Sequence, residues 1–228
     1  MKAIISGATR GIGKAIASAL AAKGYQLILL ARSENELKKL ANELSQSQLL
    51  HDYYALDLTD INQIKALSEK LIANNFIELL INNLGEFTVD QASSLKEKEL
   101  TQSFEINLFT AINLTQAVLP SLRNSNSPSI INIGSVMGLS ASKEATAYSI
   151  SKHAFKAWND ALREELRTDN IKVSCIYPGA VNTSSWDGTD ANREAMIQAD
   201  DIAKVVSNLV ELGSTCLVEE VRISPMNF

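Results

Sequence analysis

Short apolar segments alternate with longer amphipathic segments along this chain of 228 residues. The apolar segments lie at about 2–6, 26–31, 52–56, 77–81, 129–134, 171–177 and 216–223, and the amphipathic segments lie at about 12–23, 34–44, 61–74, 96–119, 148–167 and 200–211. Because strands that alternate with helices favour parallel pairing, this pattern predicts an α/β fold with a mostly parallel sheet. The segment 27–30 is continuously apolar, as in strands covered on both faces, so we expect a doubly wound sheet with helices on both sides.

The length of the chain and its lack of a Pro- or Gly-rich linker indicate a single domain over residues 1–228. One segment, at about 183–199, fits neither pattern because it is polar and helix-poor at its start. Long irregular segments in compact domains are commonly functional, so we interpret this one as a substrate lid.

The balance of charge is acidic, with a net charge of −5 and a pI of about 5.2. This argues against a broad surface for nucleic acid or anionic membrane and favours small-molecule partners. No signal-peptide core or membrane-spanning apolar run is present, so we expect a soluble, cytoplasmic protein. Cys175 and Cys216 form neither a disulfide framework nor a metal-ligand spacing, and His51 and His153 have no partner at ligand spacing. We therefore expect two reduced, inert thiols and no metal site.

Tyr148 and Lys152 stand four positions apart, which places the phenol and the ammonium on one face if the segment is helical. A nearby cation favours the phenolate and brings the pKa of a tyrosine towards the range of a general acid or base. The pair therefore predicts a proton-transfer site, and the chain is interpreted as an enzyme.

A glycine-rich turn follows the first predicted strand and leads into the first helix, with the sequence Gly7-Ala8-Thr9-Arg10-Gly11-Ile12-Gly13. Glycines allow a tight turn and a close backbone approach to a pyrophosphate, which the N–H groups and dipole of the following helix stabilise. Such a cluster alone is a weak signal, because strand-to-helix turns also use glycine for conformational reasons. Its position between the first strand and the first helix favours dinucleotide binding.

The end of the second predicted strand indicates which dinucleotide is bound. Enzymes that use NAD place a carboxylate there for the ribose 2′-OH, whereas Arg32 stands here and no acidic residue precedes Glu34. Arg32 and Arg10 together can bind a 2′-phosphate, which favours NADP(H) over NAD(H). The alternative interpretation is that both arginines are solvated surface charges.

Beyond the glycine turn, further motifs occur in order: Asp57-Leu58, Asn82-Asn83-Leu84-Gly85, Asn107, Ser135, Tyr148 with Lys152, and Pro178-Gly179. With them the chain resembles the short-chain dehydrogenase/reductase family over nearly its whole length, and is similar to its NADP-dependent carbonyl reductases and 3-oxoacyl-[acyl-carrier-protein] reductases. The resemblance implies a seven-stranded Rossmann sheet and reversible hydride transfer between a nicotinamide cofactor and a ketone, an aldehyde or an alcohol.

The resemblance also implies roles for four catalytic residues. Tyr148 is the general acid that protonates the carbonyl oxygen during reduction. Lys152 holds the nicotinamide ribose and lowers the pKa of the tyrosine. Ser135 donates to the substrate oxygen, and Asn107 helps to hold a water in a proton relay behind the lysine.

The cofactor roles that the resemblance implies involve residues at several strand ends. Asp57 meets the adenine amino group and Leu58 lies beside it. Asn83 and Gly85 line the adenosine ribose. The Pro178-Gly179 turn passes beneath the nicotinamide, and the region of Val181 and Thr183 binds the carboxamide.

Ser135 follows an apolar run and lies at the carboxyl end of a predicted strand, the edge at which open α/β sheets bind ligands. Each site residue also has an ordinary structural interpretation, such as a helix cap for Ser135. Their combined order favours the functional interpretation. Trp186 and Met137 fit an apolar substrate wall, and Trp186 fits a packing role within the lid equally well.

Three functions therefore remain: a carbonyl reductase, a 3-oxoacyl thioester reductase, and a sensor or scaffold that binds NADP without turnover. An acidic carrier protein would need a basic docking patch, and Arg193 is the one basic residue of the lid segment. The family resemblance implies a homodimer or homotetramer, formed through the helices at about 96–119 and 148–167.

Overall fold

A parallel sheet of seven strands forms the centre of the structure. This structure is a computed structural model, and it describes residues 1–45, 49–72 and 76–227. The strands are β1 (Lys2–Ser6), β2 (Gln26–Ala31), β3 (Asp52–Ala55), β4 (Leu79–Asn82), β5 (Ser129–Ile133), β6 (Lys172–Pro178), β7 (Val181–Asn182), β8 (Ile197–Gln198) and β9 (Glu220–Ile223). In the central sheet they lie in the order β3-β2-β1-β4-β5-β6-β9, while β7 and β8 pair separately. The predicted mostly parallel, seven-stranded sheet is confirmed.

Seven α-helices connect and cover these strands in the described part of the chain: α1 (Gly11–Ala22), α2 (Glu34–Leu44), α3 (Ile61–Ile72), α4 (Glu97–Phe104), α5 (Thr110–Arg123), α6 (Thr146–Leu166) and α7 (Ala199–Leu209). Residues 73 and 74 of the third predicted helix lie outside the described residues. The strand predicted at 216–223 is shorter than expected, because only Glu220–Ile223 pairs with β6.

Successive residues of each strand point to opposite faces of the sheet, and this divides the core into two layers. Ala3 and Ile5 of β1 pack in one layer with α1, α2 and α7, whereas Ile4 packs in the other with α3, α5 and α6. Both layers are built from fully buried aliphatic side chains, so the predicted doubly wound arrangement is confirmed.

The single helix predicted at 96–119 is in fact three helical segments. A π-helical turn, Glu105–Phe109, separates α4 from α5. Such a turn inserts an extra residue into the helix and redirects the side chains within it, and it occurs frequently at functional sites. Asn107 lies inside this turn.

The segment predicted as a lid, 183–199, contains the short 3-10 turns Ser184–Trp186 and Arg193–Ala195 and the strand β8. Pairing of β8 with β7 fixes the two ends of the segment relative to each other. Its function as a lid stays a prediction. No helix within the described ranges is both long enough and apolar enough to cross a membrane.

Candidate active site

The strand order reverses between β1 and β4, and in open α/β sheets such a reversal opens a crevice at the carboxyl ends of the strands. A cleft of about 1250 Å³ lies there. The predicted cofactor residues that line it are Gly7, Thr9, Arg10, Gly11, Ile12, Arg32, Asp57, Leu58, Asn83, Gly85 and Thr183. The remaining predicted site residues lie outside this lining: Gly13, Asn107, Ser135, Tyr148, Lys152, Pro178, Gly179 and Val181.

The glycine turn needs its glycines for two reasons. Gly7 and Gly11 have φ angles of 64° and 53°, in the left-handed region that side chains disfavour. A Cβ on Gly13 would lie 2.2 Å from the Gly7 carbonyl oxygen and 2.6 Å from Asn83 Nδ2, so only glycine lets α1 pack against the turn. Gly13 is therefore a packing residue of the turn and lies behind the cleft surface.

Asn83 holds the glycine turn in place. Its Nδ2 donates to the carbonyl oxygens of Ser6 and Gly7 over 3.0 and 3.2 Å, and its backbone N–H donates to Ser6 Oγ over 2.9 Å. These bonds join the carboxyl ends of β1 and β4. The residue lines the cleft as predicted, but its amide nitrogen binds the protein backbone.

Two arginines line the cleft beside the ends of β1 and β2. Arg10 occupies the N-cap position of α1, and Arg32 follows β2; both are exposed and line the cleft. Asp57 Oδ1 accepts from the N–H and hydroxyl of Thr59 over 2.9 and 2.8 Å. These bonds, with the charge of Arg32 in support, hold the pKa of the Asp57 carboxyl below its usual value.

Tyr148 and Ser135 meet at the carboxyl end of β5. Ser135 follows this strand and caps a 3-10 turn, with its Oγ accepting from Met137 N–H over 3.1 Å. Burial raises the pKa of the Tyr148 phenol, and a hydrogen bond with Ser135 lowers it. The lowering of this tyrosine's pKa by Lys152 stays a prediction, and desolvation is the larger of the two effects that act on the phenol in this structure.

Lys152 lies one turn after Tyr148 on α6 and is 3% exposed. Its Nζ donates to the Ile133 carbonyl over 3.2 Å and lies 5.7 Å from the centre of the Tyr148 ring. Burial lowers the pKa of this ammonium from 10.5 to about 8. The predicted juxtaposition of phenol and ammonium on one helix face is therefore present.

Asn107 and Lys152 both approach the cleft through Gly85. A Cβ on Gly85 would lie 3.1 Å from Asn107 Oδ1 and 3.5 Å from Lys152 Nζ. Asn107 is 1% exposed, and its amide binds the backbone of Glu86 and the hydroxyl of Ser103. Gly85 is thus the point at which the cleft meets Asn107 and Lys152.

The Pro178-Gly179 turn and Val181 lie at the carboxyl end of β6. Gly179 N–H donates to the Ile223 carbonyl over 2.8 Å, and a Cβ on Gly179 would lie 2.8 Å from Pro225. The side chain of Val181 is buried in the core. Thr183 lines the cleft and packs against Gly11, where a Cβ would lie 3.0 Å from Thr183 Cγ2.

Sequence reasoning missed two residues beside Tyr148. Asp90 Oδ1 accepts from the N–H groups of Thr146 and Ala147, over 2.8 and 3.0 Å, and so caps the helix that carries the tyrosine. The ring of Phe87 lies 5.2 Å from that of Tyr148. Both contacts join segments far apart in the sequence, so no local pattern signals them.

The cleft fits a nicotinamide dinucleotide in its chemistry. Among the described residues no side chain caps the first turn of α1, which leaves its N–H groups directed at an anion such as a pyrophosphate. The nearly buried ammonium of Lys152 has three donors, whose natural partners are hydroxyl oxygens such as those of a ribose.

The sequence profile of the short chain dehydrogenase family matches residues 1–194. The chain belongs to this family. An uncharacterized oxidoreductase of Staphylococcus epidermidis is 29% identical over 225 residues, which cover 98% of this chain and 96% of the relative. A Dehydrogenase/reductase SDR family protein 7-like of Drosophila melanogaster is 36% identical over 186 residues, or 79% of this chain and 57% of the relative.

Solved structures of other oxidoreductases share the whole fold of this short-chain dehydrogenase. An alcohol dehydrogenase from the archaeon Thermococcus sibiricus, complexed with 5-hydroxy-NADP, superposes with a TM-score of 0.91 at 29% identity and covers 99% of this chain and 96% of its own. A metagenomic short-chain oxidoreductase in complex with NADP gives a TM-score of 0.85 at 28% identity, with 99% and 97% covered. The chain is therefore an oxidoreductase of Rossmann fold.

Proposed function

We propose that this oxidoreductase uses NADP(H) to interconvert a ketone or aldehyde and the corresponding alcohol, with Tyr148 as general acid and base. The observation that carries the proposal is the proximity of the Ser135 hydroxyl to the Tyr148 phenol beside the nearly buried ammonium of Lys152, whose Nζ lies 5.7 Å from the centre of the Tyr148 ring. These groups lie at the sheet edge where ligands of open α/β sheets bind. A hydroxyl pair of this kind can orient a carbonyl oxygen and exchange a proton with it.

A bound nicotinamide supplies or accepts the hydride, and the protein supplies orientation and the proton. Ser135 donates to the substrate oxygen. Because burial raises the pKa of Tyr148, its phenol holds a proton at neutral pH and is ready to protonate that oxygen during reduction. The Lys152 ammonium stabilises the phenolate left behind and would hold the ribose hydroxyls of the bound cofactor. Asn107 fixes the loop that carries Gly85 and supports the proton relay behind the lysine.

The preference for NADP(H) rests on Arg10 and Arg32. Both guanidinium groups line the cleft, and the end of β2 carries no carboxylate before Glu34. Guanidinium groups bind phosphate through charge-assisted hydrogen bonds, which a ribose 2′-hydroxyl cannot match. The two related structures that were determined with NADP or a derivative of it are consistent with this proposal.

The lid argues against a carrier-bound substrate. Arg193 donates to Asn182 Oδ1, Asp187 Oδ1 and the Thr183 carbonyl over 2.7, 2.6 and 2.9 Å. Its guanidinium therefore holds the lid together, and its charge is matched by Asp187. We accordingly favour free carbonyl substrates over acyl-carrier thioesters.

The experiment is steady-state oxidation of NADPH with a panel of ketones, aldehydes and 3-oxoacyl thioesters. Tyr148→Phe should lower kcat by about 100-fold or more while the dissociation constant for NADPH stays within a few fold. Tyr53→Phe, on the distant strand β3, is the matched control and should keep full activity. Binding of NADPH without turnover of any substrate would favour the sensor or scaffold alternative, and unchanged turnover in Tyr148→Phe would refute the mechanism.

We also propose a homodimer or homotetramer. Phe109 and Ile150 are 46% and 38% exposed on the helical segments that the family resemblance assigns to subunit contacts. Analytical ultracentrifugation would distinguish these states from a monomer.

A further inference from the structure

Three aromatic rings form a continuous row that starts at the proposed general acid. The centre of the Phe87 ring lies 5.2 Å from that of Tyr148, with the two planes at 71°. The Phe87 ring also stacks against Trp186, with centres 6.5 Å apart and planes at 25°. Both geometries are among those that aromatic pairs prefer.

The two added rings come from segments far apart in the sequence, and each is held by its own segment. Phe87 follows Glu86, whose backbone is bonded to Asn107. Trp186 belongs to a 3-10 turn, and its carbonyl accepts from both the N–H and the hydroxyl of Thr189. The positions of Phe87 and Trp186 are therefore fixed, because hydrogen bonds hold the backbone segment that carries each ring.

Core packing does not account for either ring. Phe87 is 40% exposed, and neither Phe87 nor Trp186 belongs to the three buried hydrophobic clusters of the described residues. Trp186 is nevertheless half-buried between exposed Ser185 and exposed Asp187. Large apolar rings that stay partly accessible beside a reactive hydroxyl are typical of ligand sites.

The basic charge of the segment 183–199 is already matched within the protein. Arg193 is the one basic residue of the segment 183–199, and its guanidinium is bonded to Asp187, Asn182 and Thr183. An anionic substrate would have to compete with Asp187 for it. What the row offers to a substrate is flat, uncharged surface.

We propose that Phe87 and Trp186 form an aromatic wall that selects ketones and aldehydes carrying a flat aromatic group next to the carbonyl carbon. The inference rests on the proposed function, because it assumes that the carbonyl oxygen lies at Tyr148. With the oxygen at the phenol, an aryl group attached to the carbonyl carbon reaches the Phe87 ring, which touches the Tyr148 ring. Stacking against this wall is worth more for a flat ring than for a saturated ring of equal size.

The test compares an aryl aldehyde with its cyclohexyl counterpart, which has similar size and polarity, and with a short hydroxyketone. We expect the wild-type protein to prefer the aryl aldehyde in kcat/KM. In Phe87→Leu and Trp186→Leu, the KM for the aryl aldehyde should rise about three- to tenfold while kcat and the KM for the cyclohexyl aldehyde change by less than about twofold. Trp186→Phe keeps an aromatic ring and should retain the preference.

Each variant is first checked for an unchanged dissociation constant for NADPH, which shows that the cofactor site is folded. Equal rises in KM for the aryl and cyclohexyl aldehydes would overturn the wall, as would a wild-type preference for the hydroxyketone. If the wild-type protein reduces none of the substrates, the proposed function fails and the wall is tested by calorimetry with benzyl alcohol and cyclohexylmethanol in the presence of NADP⁺. Tighter binding of benzyl alcohol that is lost in both leucine variants supports the wall, and equal or undetectable binding of the two alcohols refutes it.

Discussion

Asn107 and Glu86 exchange two hydrogen bonds, with Glu86 N–H donating to Asn107 Oδ1 over 2.8 Å and Asn107 Nδ2 donating to the Glu86 carbonyl over 3.1 Å. The asparagine thus pairs with the loop after β4 as a neighbouring strand would. That loop carries Gly85 on the cleft and Phe87 against Tyr148. The π-helical turn that presents Asn107 therefore fixes both positions together.

Replacing Asn107 with alanine should lower the free energy of unfolding by about 1–3 kcal/mol, because partly buried backbone groups of Glu86 lose their partners. The same change should reduce kcat, since the loop that carries Gly85 and Phe87 is no longer fixed. Urea unfolding and steady-state kinetics measure both effects. Asn113→Ala, on the following helix α5, is the matched control. Equal stability of the two variants would show that the two hydrogen bonds between Asn107 and Glu86 contribute nothing to stability.

The fold was largely predictable because its signal is local. The central strands are runs of apolar residues that contribute to both layers of the core. The glycine turn marks the residue at which α1 begins. The π turn was not predictable, because the apolar periodicity of 96–119 runs through it without a break. The residues that pair across the site, such as Asp90 with Thr146, are separated by more than fifty positions and leave no local pattern.

The pKa shifts of the site residues were less predictable than which residues lie in the site. The spacing of Tyr148 and Lys152 correctly placed the two groups on one helix face, but it could not reveal that Lys152 is buried and that Tyr148 is partly buried. Desolvation depends on everything packed around a group, so it raises the pKa of the phenol and lowers that of the ammonium. The spacing of residues in the sequence predicts only the effect of a nearby charge on the pKa, and not the effect of burial.

Asp90 is predicted to position the catalytic helix. Its carboxylate accepts from the first N–H groups of α6, where the N-cap residue Ala145 offers no side-chain bond, and its charge also suits the helix dipole. Asp90→Ala should cost about 1–2 kcal/mol of stability and lower kcat, because Tyr148 lies in the first turn of this helix. Asp90→Asn keeps an acceptor and should cost less than half as much in thermal and urea unfolding. Identical losses in the two variants would contradict a capping role.

Arg32 is predicted to distinguish the two nicotinamide dinucleotides. Arg32→Ala should weaken the binding of NADPH by about tenfold or more, the range expected for loss of a charge-assisted hydrogen bond, and leave NADH within about twofold. Fluorescence titration with each cofactor measures the ratio. Arg123→Ala removes an arginine that is paired with Asp169 away from the cleft and should change neither constant. Equal weakening of both cofactors by Arg32→Ala would refute the 2′-phosphate assignment.

Lys152 is predicted to make the stability of the free protein depend on pH. Its pKa is about 8 in the folded protein against an ordinary value of 10.5, so at pH 7 folding buries a charge at a cost of about 3 kcal/mol. As the pH rises above 8, the folded state releases this proton before the unfolded chain does, and the cost disappears towards pH 10.5. Lys152→Met should therefore be more stable than the wild type at pH 7, by an amount that shrinks between pH 8 and pH 10.5, while its activity is lost. Urea unfolding of both proteins across this range measures the difference, and groups that do not interact with Lys152 cancel in it. A difference that does not change with pH would show that the ammonium is not desolvated on folding.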